Sequence, residues 1–272
     1  MPRAGTPFLY VRDVGATTVR AWVPGVAGIA EVFHARFTDH VYPPHAHDTW
    51  TLMIVDDGTV RYDLHRHERG APTGTVLLLP PHIAHTGRAD TAHGFRKRVL
   101  YLDADVVDQS LAGRVVDEPT PADDLLRVRL DRLHRVLDDP GGALEAESRL
   151  SLIADRIARR LGSAARPGAP GLAGALRDLL DSRLADGITL REAGALLHAD
   201  PAHLVRSFGR EFGLPPHRYL VGRRVEAARR RLLDGEPVAA VAAAVGFHDQ
   251  SHLHRHFTRL VGTTPRRFAR SP

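Results

Sequence analysis

The hydrophobic pattern of the chain starts as short apolar runs separated by turn residues, which is typical of β-strands. Within residues 1–116 the predicted strands are 18–23, 29–37, 50–55, 60–64, 75–79 and 98–103. Segments rich in Gly, Pro and Asp separate them, and Asp56-Asp57-Gly58 is one of these predicted turns. No helical period interrupts the series, so we expect a small antiparallel barrel or sandwich.

Residues 122–161 change to a helical period. Two apolar stripes recur every three or four residues: Leu126, Leu130, Leu133 and Leu137, then Leu150, Ile153, Ile157 and Leu161. A break at residues 139–142 makes this a predicted helical hairpin. The segment GSAARPGAPG at 162–171 has the composition of a flexible linker and is the predicted domain boundary.

A repeat dominates the C-terminal part. Residues 193–218 match residues 242–267 at an offset of 49, with 11 identities in 26 positions. Each copy is predicted to be a helix, a tight turn and a second helix. The signals are helix-capping residues, prolines at helix starts and glycines at turns or helix ends: Thr189, Glu192, Asp200, Pro201 and Gly213, then Pro237, Gly246, Asp249 and Gly262.

A helix over residues 216–233 is predicted between the two copies, with Val221, Val225, Ala228 and Leu232 as its apolar stripe. A helix of this length spans about 27 Å. Successive major grooves on one face of B-DNA are roughly 34 Å apart. The helix could therefore act as a rigid spacer that holds two recognition helices in adjacent grooves.

Charge is concentrated in the same part of the chain. Residues 201–272 contain 13 Arg against five acidic residues, whereas the rest of the chain is slightly acidic. This distribution favours a polyanion-binding module, although an arginine-rich solvated surface would give the same count. The chain contains no cysteine, which fits a reducing cytosol. No signal-peptide pattern and no membrane-length apolar run is present, so we expect a cytoplasmic protein with no membrane partner.

The run REAGALLHADPAHLVRSFGREFGLPPHRYL, followed by AARRRLL and VAAAVGFHDQSHLHRHFTRLVGTTPRRF, resembles the double helix-turn-helix of AraC/XylS-type transcription regulators. This resemblance covers roughly residues 172–270. It implies sequence-specific binding of double-stranded promoter DNA, control by a small-molecule effector, and a homodimer formed through the helical hairpin. RNA polymerase is a further candidate partner. The alternative for the hairpin is that its stripes pack only on the barrel.

The residues placed to reach DNA lie mainly in the second helix of each unit. Base contacts are expected in its first two turns, and guanidinium can bind guanine through two hydrogen bonds. Arginines beyond these turns suit phosphates. The base candidates are Ala202, His203, Val205, Arg206, Gln250, Ser251, His252, His254 and Arg255, and the phosphate candidates are Arg210, Arg218, Arg259 and Arg267. Phe208 and Phe257 are predicted core residues.

A histidine group stands out in the N-terminal part. On one continuous strand, His45, His47 and Thr51 would point to one face and Trp50 to the other. The segments YPPHAHDTWTLMIVDDG and GTVLLLPPHIAH resemble the two motifs of the cupin barrel, and they imply a metal site formed by His45, His47, a glutamate and His85. Thr51 stands where the glutamate belongs, which weakens the metal prediction. A pocket for a small organic effector, lined by His45, His47, Thr51 and His85, is the preferred interpretation.

These observations predict an α+β protein of two domains. Residues 1–116 form a cupin-like sensing barrel, 117–161 the helical hairpin, 162–171 the linker, and 172–272 an all-α double helix-turn-helix domain. The predicted function is a transcription regulator that is not an enzyme. Its cofactor is left open between none, which is preferred, and a divalent metal. The alternatives are a metal-dependent cupin sensor using the three histidines, a cupin enzyme fused to a DNA-binding module, and a barrel that binds a partner protein.

Overall fold

The computed structural model describes residues 17–65, 67–138, 143–162 and 171–270. The strands are β1 Thr18–Trp22, β2 Ile29–Phe37, β3 Tyr42–His45, β4 Trp50–Leu64, β5 His67–Pro72, β6 Val76–Leu79, β7 His85–Ala89 and β8 Phe95–Leu102. The helices are α1 Ala112–Asp117, α2 Asp124–Leu137, α3 Ala143–Leu161, α4 Leu172–Ser182, α5 Leu190–Leu196, α6 Pro201–Phe212, α7 Pro216–Leu233, α8 Val238–Ala244, α9 Gln250–Val261 and α10 Pro265–Phe268. The segments around residues 139–142 and 163–170, predicted as a helix break and a linker, lie outside the described residues.

The strands form one curled antiparallel sheet, a half-barrel, in the order β1-β2-β8-β4-β7-β3. β5 and β6 also pair with β4. Because side chains alternate along a strand, each strand contributes to two cores. Phe95, Val99 and Tyr101 of β8 face the inside of the half-barrel, and Leu100 and Leu102 face the hairpin.

Asp56-Asp57-Gly58 is not a turn, contrary to the prediction. β4 runs through it, and the register against β8 shifts between Val55 and Asp57. Gly58 has φ 76°, and a Cβ there would lie 2.2 Å from the carbonyl oxygen of Gly94. The tripeptide is therefore a bulge that bends the long strand, and glycine is required at its end.

Three strands were not predicted. β3 contains Pro43 and Pro44 and lies at the edge of the sheet, where a missing N–H is tolerated. β5 and β7 are short, polar and contain glycine, so they show no apolar alternation. The single strand expected from His45 to Thr51 is also wrong, because β3 ends at His45 and β4 begins only at Trp50.

The helical hairpin is confirmed, but its stripes face the sheet. Leu130, Leu133 and Ile153 are completely buried in the same cluster as Trp50 and Leu52. The prediction that these stripes form a dimer contact is wrong, since the sheet of the same chain already covers them. The large apolar side chains exposed on the opposite side of the hairpin are Leu125, Leu144 and Leu152.

The C-terminal helices form two helix-turn-helix units joined by α7, as predicted. Thr189 and Glu192 form a capping box, and Asp200 and Asp249 cap α6 and α9. Gly213 and Gly262 end these helices in the left-handed conformation. Phe208 and Phe257 are fully buried core residues. Helix α4, which no sequence signal had predicted, packs against α6 and completes the first unit.

The C-terminal helices close the open side of the half-barrel. Phe33 and Tyr42 on the inner face share one apolar cluster with Val225 of α7 and with Phe257 and Val261 of α9. The two domains therefore have a common core. Among the described residues, no helix is long and apolar enough to cross a membrane.

Candidate functional site

Three histidines meet inside the half-barrel. His45 ends β3, His85 begins β7 as its register partner, and His47 follows in the loop before β4. The ring centroids are 4.4 Å apart for His45 and His85, 4.9 Å for His45 and His47, and 5.1 Å for His47 and His85. All three are buried. Burial lowers the pKa of His47 and of His85 to about 3, and that of His45 also lies well below its usual value, so the rings are neutral at pH 7.

The hydrogen bonds of the three rings fix their orientation. Nδ1 of His45 donates to the Pro43 carbonyl at 2.8 Å, and Nδ1 of His85 donates to the Ile83 carbonyl at 3.2 Å. Nδ1 of His47 lies 2.6 Å from Oε1 of Glu226. In a neutral ring whose Nδ1 carries the proton, Nε2 keeps a free lone pair. At least two Nε2 atoms are therefore available as acceptors or metal ligands.

The histidines line a cavity whose walls come from both domains. Thr51 lies on the sheet side, as does Lys97, whereas Arg229 of α7 and Leu260 and Val261 of α9 close it. The hydroxyl groups of Tyr42, Thr51 and Tyr62 are buried without a hydrogen-bond partner among the described residues. The cavity provides about 40 Å³ for the centres of water-sized solutes. A single water needs roughly 10–15 Å³ by this measure, so the space holds only a few waters.

Helix α7 inserts charged side chains into the domain interface. The buried Arg223 pairs with Asp48 at 2.7 Å, with Asp181 at 2.9 Å and with Glu226 at 2.6 Å. Burial and the nearby Asp48 raise the pKa of Glu226 to about 8, although Arg223 opposes this. The helix expected to be a plain spacer is thus a central element of the interface.

A second buried pair lies closer to the cavity. Arg229 forms an ion pair with Glu31 of β2, and both side chains are only 7% exposed. The Arg229 guanidinium also lies 4.5 Å from the ring centroid of Tyr101. Because Arg229 lines the cavity, this pair connects the cavity to α7 directly.

The predicted DNA-contact residues lie at the surface. Thirteen positions on α6, α9 and the starts of α7 and α10 were predicted, and eleven of them are exposed: Ala202, His203, Arg206, Arg210, Arg218, Gln250, Ser251, His254, Arg255, Arg259 and Arg267. Val205 and His252 are half-buried, and the His252 ring packs edge-on against Phe247 at 5.2 Å. Within the described residues, Arg206 and Arg255 form no ion pair with a carboxylate, so their guanidinium groups are available to a polyanion.

Both parts of the molecule, the half-barrel with its cavity and the helix-turn-helix units, match known families. Residues 28–154 match the family described as the AraC-like ligand binding domain, and residues 194–271 match the helix-turn-helix domain. The chain belongs to the AraC family of transcription regulators. It is a DNA-binding regulator with a ligand-binding sensor domain, and not an enzyme.

Two HTH-type transcriptional regulators and the solved structures of ToxT are similar to this chain over different extents. The uncharacterized HTH-type transcriptional regulator YbfI of Bacillus subtilis is 23% identical over 228 residues, which are 78% of this chain and 81% of YbfI. The regulator Rv1931c of Mycobacterium tuberculosis is 39% identical over 72 residues, 26% of this chain and 28% of that protein. ToxT from Vibrio cholerae has the same fold, with a TM-score of 0.61 at 10% identity over 93% of this chain and 96% of ToxT. Another ToxT structure contains a bound unsaturated fatty acid, with a TM-score of 0.60 at 11% identity over 96% of this chain and 98% of ToxT.

The histidine group of this AraC-family chain also meets several requirements of a metal site. One ring nitrogen from each of His45, His47 and His85 lies within 4.8 Å of the others. Three neutral imidazoles can bind Zn²⁺ and leave a fourth position open. Glu226 would hold His47 from behind, as carboxylates do for many metal-bound histidines. Thr51 supplies no negative charge, so the site lacks the fourth ligand that the cupin motif implies.

Several residues of the site were missed at the level of sequence. They are Glu31, Asp48, Lys97, Arg223, Glu226 and Arg229. Two signals are present in the sequence. Arg223, Glu226 and Arg229 recur every three residues on α7, and Lys97 is the single lysine of the chain. The barrel-side partners of α7, Glu31 and Asp48, cannot be predicted from local sequence, because more than 170 residues separate them from the arginines they contact.

Proposed function

We propose that the half-barrel binds a small organic effector and that the effector controls DNA binding through helix α7. The observation that carries this proposal is the composition of the cavity wall. His45, His47 and Thr51 come from the sensor domain, whereas Arg229 and Val261 come from the DNA-binding domain. A molecule in this cavity contacts both domains at once.

The unpaired groups of the cavity indicate a polar ligand. Buried hydroxyls without partners are costly, and the three hydroxyls of Tyr42, Thr51 and Tyr62 would gain hydrogen bonds from an effector. The free imidazole nitrogens of His45 and His85 add acceptors. In the docked arrangement, in which the C-terminal helices close the half-barrel, the cavity has no room for an effector larger than a few atoms. Binding of a larger effector would displace Arg229 and α9.

On the DNA side, we propose that α6 and α9 enter major grooves of double-stranded promoter DNA. Arg206, Arg255 and Gln250 would read bases, and Arg218 and Arg259 would contact phosphates. We also propose a homodimer, formed through the exposed face of the hairpin, and RNA polymerase as a partner at the promoter. A regulator of this kind would act in the cytoplasm, where its DNA is located.

The regulator proposal is tested by selecting duplexes from a random pool and measuring affinity for selected and shuffled sequences at ~150 mM salt, where long-range charge effects are screened. Specific binding requires a clear preference for the selected duplex. Arg206→Ala should remove preference at one base position. Equal affinity of the unaltered protein for both duplexes would refute sequence-specific recognition.

A metal-dependent sensor is the second candidate, favoured by the convergent nitrogens of His45, His47 and His85. Protein purified without an affinity tag should be analysed for Zn, Fe, Ni and Cu, and its DNA affinity measured with and without a chelator. Stoichiometric metal, together with a DNA affinity that changes on chelation, would show that the sensor responds to a metal and not to an organic effector. No bound metal, together with a metabolite response that is lost in His47→Ala, supports the organic effector.

A further inference from the structure

The cavity contains the only lysine of the chain. All other basic residues among the 37 Lys and Arg are arginines, so Lys97 is an exception in a protein that otherwise uses Arg for positive charge. It lies on β8 between Phe95 and Val99, and the alternation of the strand directs all three into the half-barrel. As a residue Lys97 is half-buried, and it lines the cavity.

The surroundings of the Lys97 amine are aromatic. Nζ lies 4.3 Å from the ring centroid of Tyr42, and 5.7 Å, 5.9 Å and 6.0 Å from those of Phe33, Phe37 and Phe95. Within the described ranges, Nζ forms no ion pair and no hydrogen bond. The ring faces provide a cation–π attraction but no proton acceptor of the strength of a carboxylate.

One charged group close to Lys97, Arg229 of α7, disfavours a second positive charge. The titratable groups around the amine from the sheet and its loops are neutral at pH 7 and supply no compensating negative charge: the histidines His40, His45, His47 and His85. Desolvation and Arg229 lower the pKa of Lys97 to about 7. A lysine amine becomes a nucleophile at neutral pH when it is desolvated or lies beside another cation, and both conditions hold here.

We propose that Lys97 captures a small aldehyde effector as a reversible imine. This inference rests on the proposed sensor function and names the chemical class of its ligand. The neutral amine adds its lone pair to the carbonyl carbon, a C–N bond forms, and the oxygen takes up a proton as the nitrogen loses one. The C–O bond then breaks, the hydroxyl leaves as water together with the second proton of the nitrogen, and a neutral C=N bond remains. No oxidant or reductant is needed, and hydration of the imine returns both partners.

The cavity suits this reaction in two further respects. The free imidazole nitrogens of His45 and His85 line the same cavity and can accept a hydrogen bond from the hydroxyl group that forms on the carbonyl carbon. The free space matches an aldehyde of a few heavy atoms, which fits without separating the two domains. The competing interpretation is that a charged Lys97 holds an anion without a covalent bond. Under that interpretation an arginine at position 97 would still bind the ligand, whereas an imine requires the lysine amine.

The experiment uses acetaldehyde with sodium cyanoborohydride, which converts an imine to a stable N-ethyl amine. Dicarbonyl probes are unsuitable because they also modify arginine. Mass mapping should find ethylation at Lys97, with a half-maximal rate near pH 7, whereas an ordinary lysine has a pKa of about 10.4. Lys97→Arg removes the only side-chain amine and keeps the charge, so its N-terminal amine reports the background reaction.

DNA affinity gives the functional readout. Acetaldehyde without the reductant should change the affinity of the unaltered protein for its selected duplex by about fivefold or more, the usual lower range of coupling between two sites. Lys97→Arg and Lys97→Met should bind the duplex but not respond to acetaldehyde. Two variants are used because either could disturb folding, which thermal unfolding would reveal.

Three results would overturn the inference. The first is ethylation of the N-terminal amine alone, and the second is modification of Lys97 with no effect on DNA affinity. The third is a response to acetate that Lys97→Arg retains, which would make Lys97 an electrostatic anchor. If Lys97 reacts as expected but the protein shows no sequence preference in DNA binding, the regulator proposal fails and the amine chemistry stands.

Discussion

The buried pair of Glu31 and Arg229 should be strongly coupled in a double-mutant cycle. It joins the sensor sheet to α7, and both side chains are 7% exposed. Removing one partner of such a pair typically costs about 3–5 kcal/mol, because the remaining charge stays buried and unpaired. Replacing both partners with neutral groups of similar size is often close to neutral.

The structure indicates how each single variant should behave. In Arg229→Met, Glu31 can take up a proton, since burial already raises its pKa. Protonating a carboxyl group costs about 1.4 kcal/mol for each unit by which the pH exceeds its ordinary pKa, and for glutamate at pH 7 this limits the loss to about 3–4 kcal/mol. In Glu31→Gln, Arg229 cannot lose its charge, but it keeps its contact with Tyr101 and gains an amide acceptor. A loss of about 3 kcal/mol is expected again.

Urea unfolding should be followed by tryptophan fluorescence, which reports Trp22 and Trp50 in the sensor domain, and by circular dichroism, which is dominated by helices. The double variant should lose at least ~2 kcal/mol less than the two single losses combined. Additivity within ~0.5 kcal/mol would show that the residues do not interact, and the docked arrangement would be refuted. Asp90→Asn, which breaks the exposed pair with Arg61, is the control and should leave the curve unchanged.

Other consequences can be measured independently. Arg255→Ala should cost about 1–3 kcal/mol on the selected duplex and relax one base position, whereas Arg218→Ala should weaken binding to all duplexes and reduce the salt slope by about 1; the reverse pattern contradicts their assignment. Stability should fall as pH drops below 6.5, by up to about 1.4 kcal/mol per unit for each cavity histidine, because their lowered pKa leaves the unfolded chain binding more protons. Glu226 has a raised pKa, so its protonation between pH 8 and 4.5 stabilises the fold and opposes the loss caused by the histidines. An unchanged melting temperature between pH 7 and 5.5 would argue against neutral buried rings. Leu152→Glu should dissociate a hairpin dimer while keeping the fold, whereas Leu130→Glu should unfold the sensor domain; a folded, dimeric Leu152→Glu places the interface elsewhere.

Local signals account for the elements that were predicted well. The caps at Asp200 and Asp249 and the glycines at 213 and 262 act within one turn of their own helices, so the sequence alone locates α6 and α9. The repeat then doubled each observation. In the sheet, apolar alternation predicts β2 and the first half of β4. It does not predict β3 and β5, because these strands contain the proline, glycine and polar residues typical of edges and turns.

Long-range contacts account for what was missed. His45 and His85 could be associated because their two motifs are each short and distinctive. Glu226 could not be associated with His47, since nothing local in α7 distinguishes a charge that is buried from one on a solvated face. The stripes of the hairpin show the same limit, because an apolar face does not reveal whether its own sheet or a second copy covers it.

The position of α7 determines how an effector could act on DNA binding. One end of this helix follows α6 and the other precedes α8 and α9, while its buried face closes the cavity through Arg229. A ligand shifts the balance between two arrangements only by the difference in its affinity for them. A metal ion or small aldehyde fits the docked cavity and would favour docking, whereas a larger molecule needs Arg229 and Val261 to move and would favour separation. The size of the effector therefore decides the sign of the coupling between the sensor and the recognition helices.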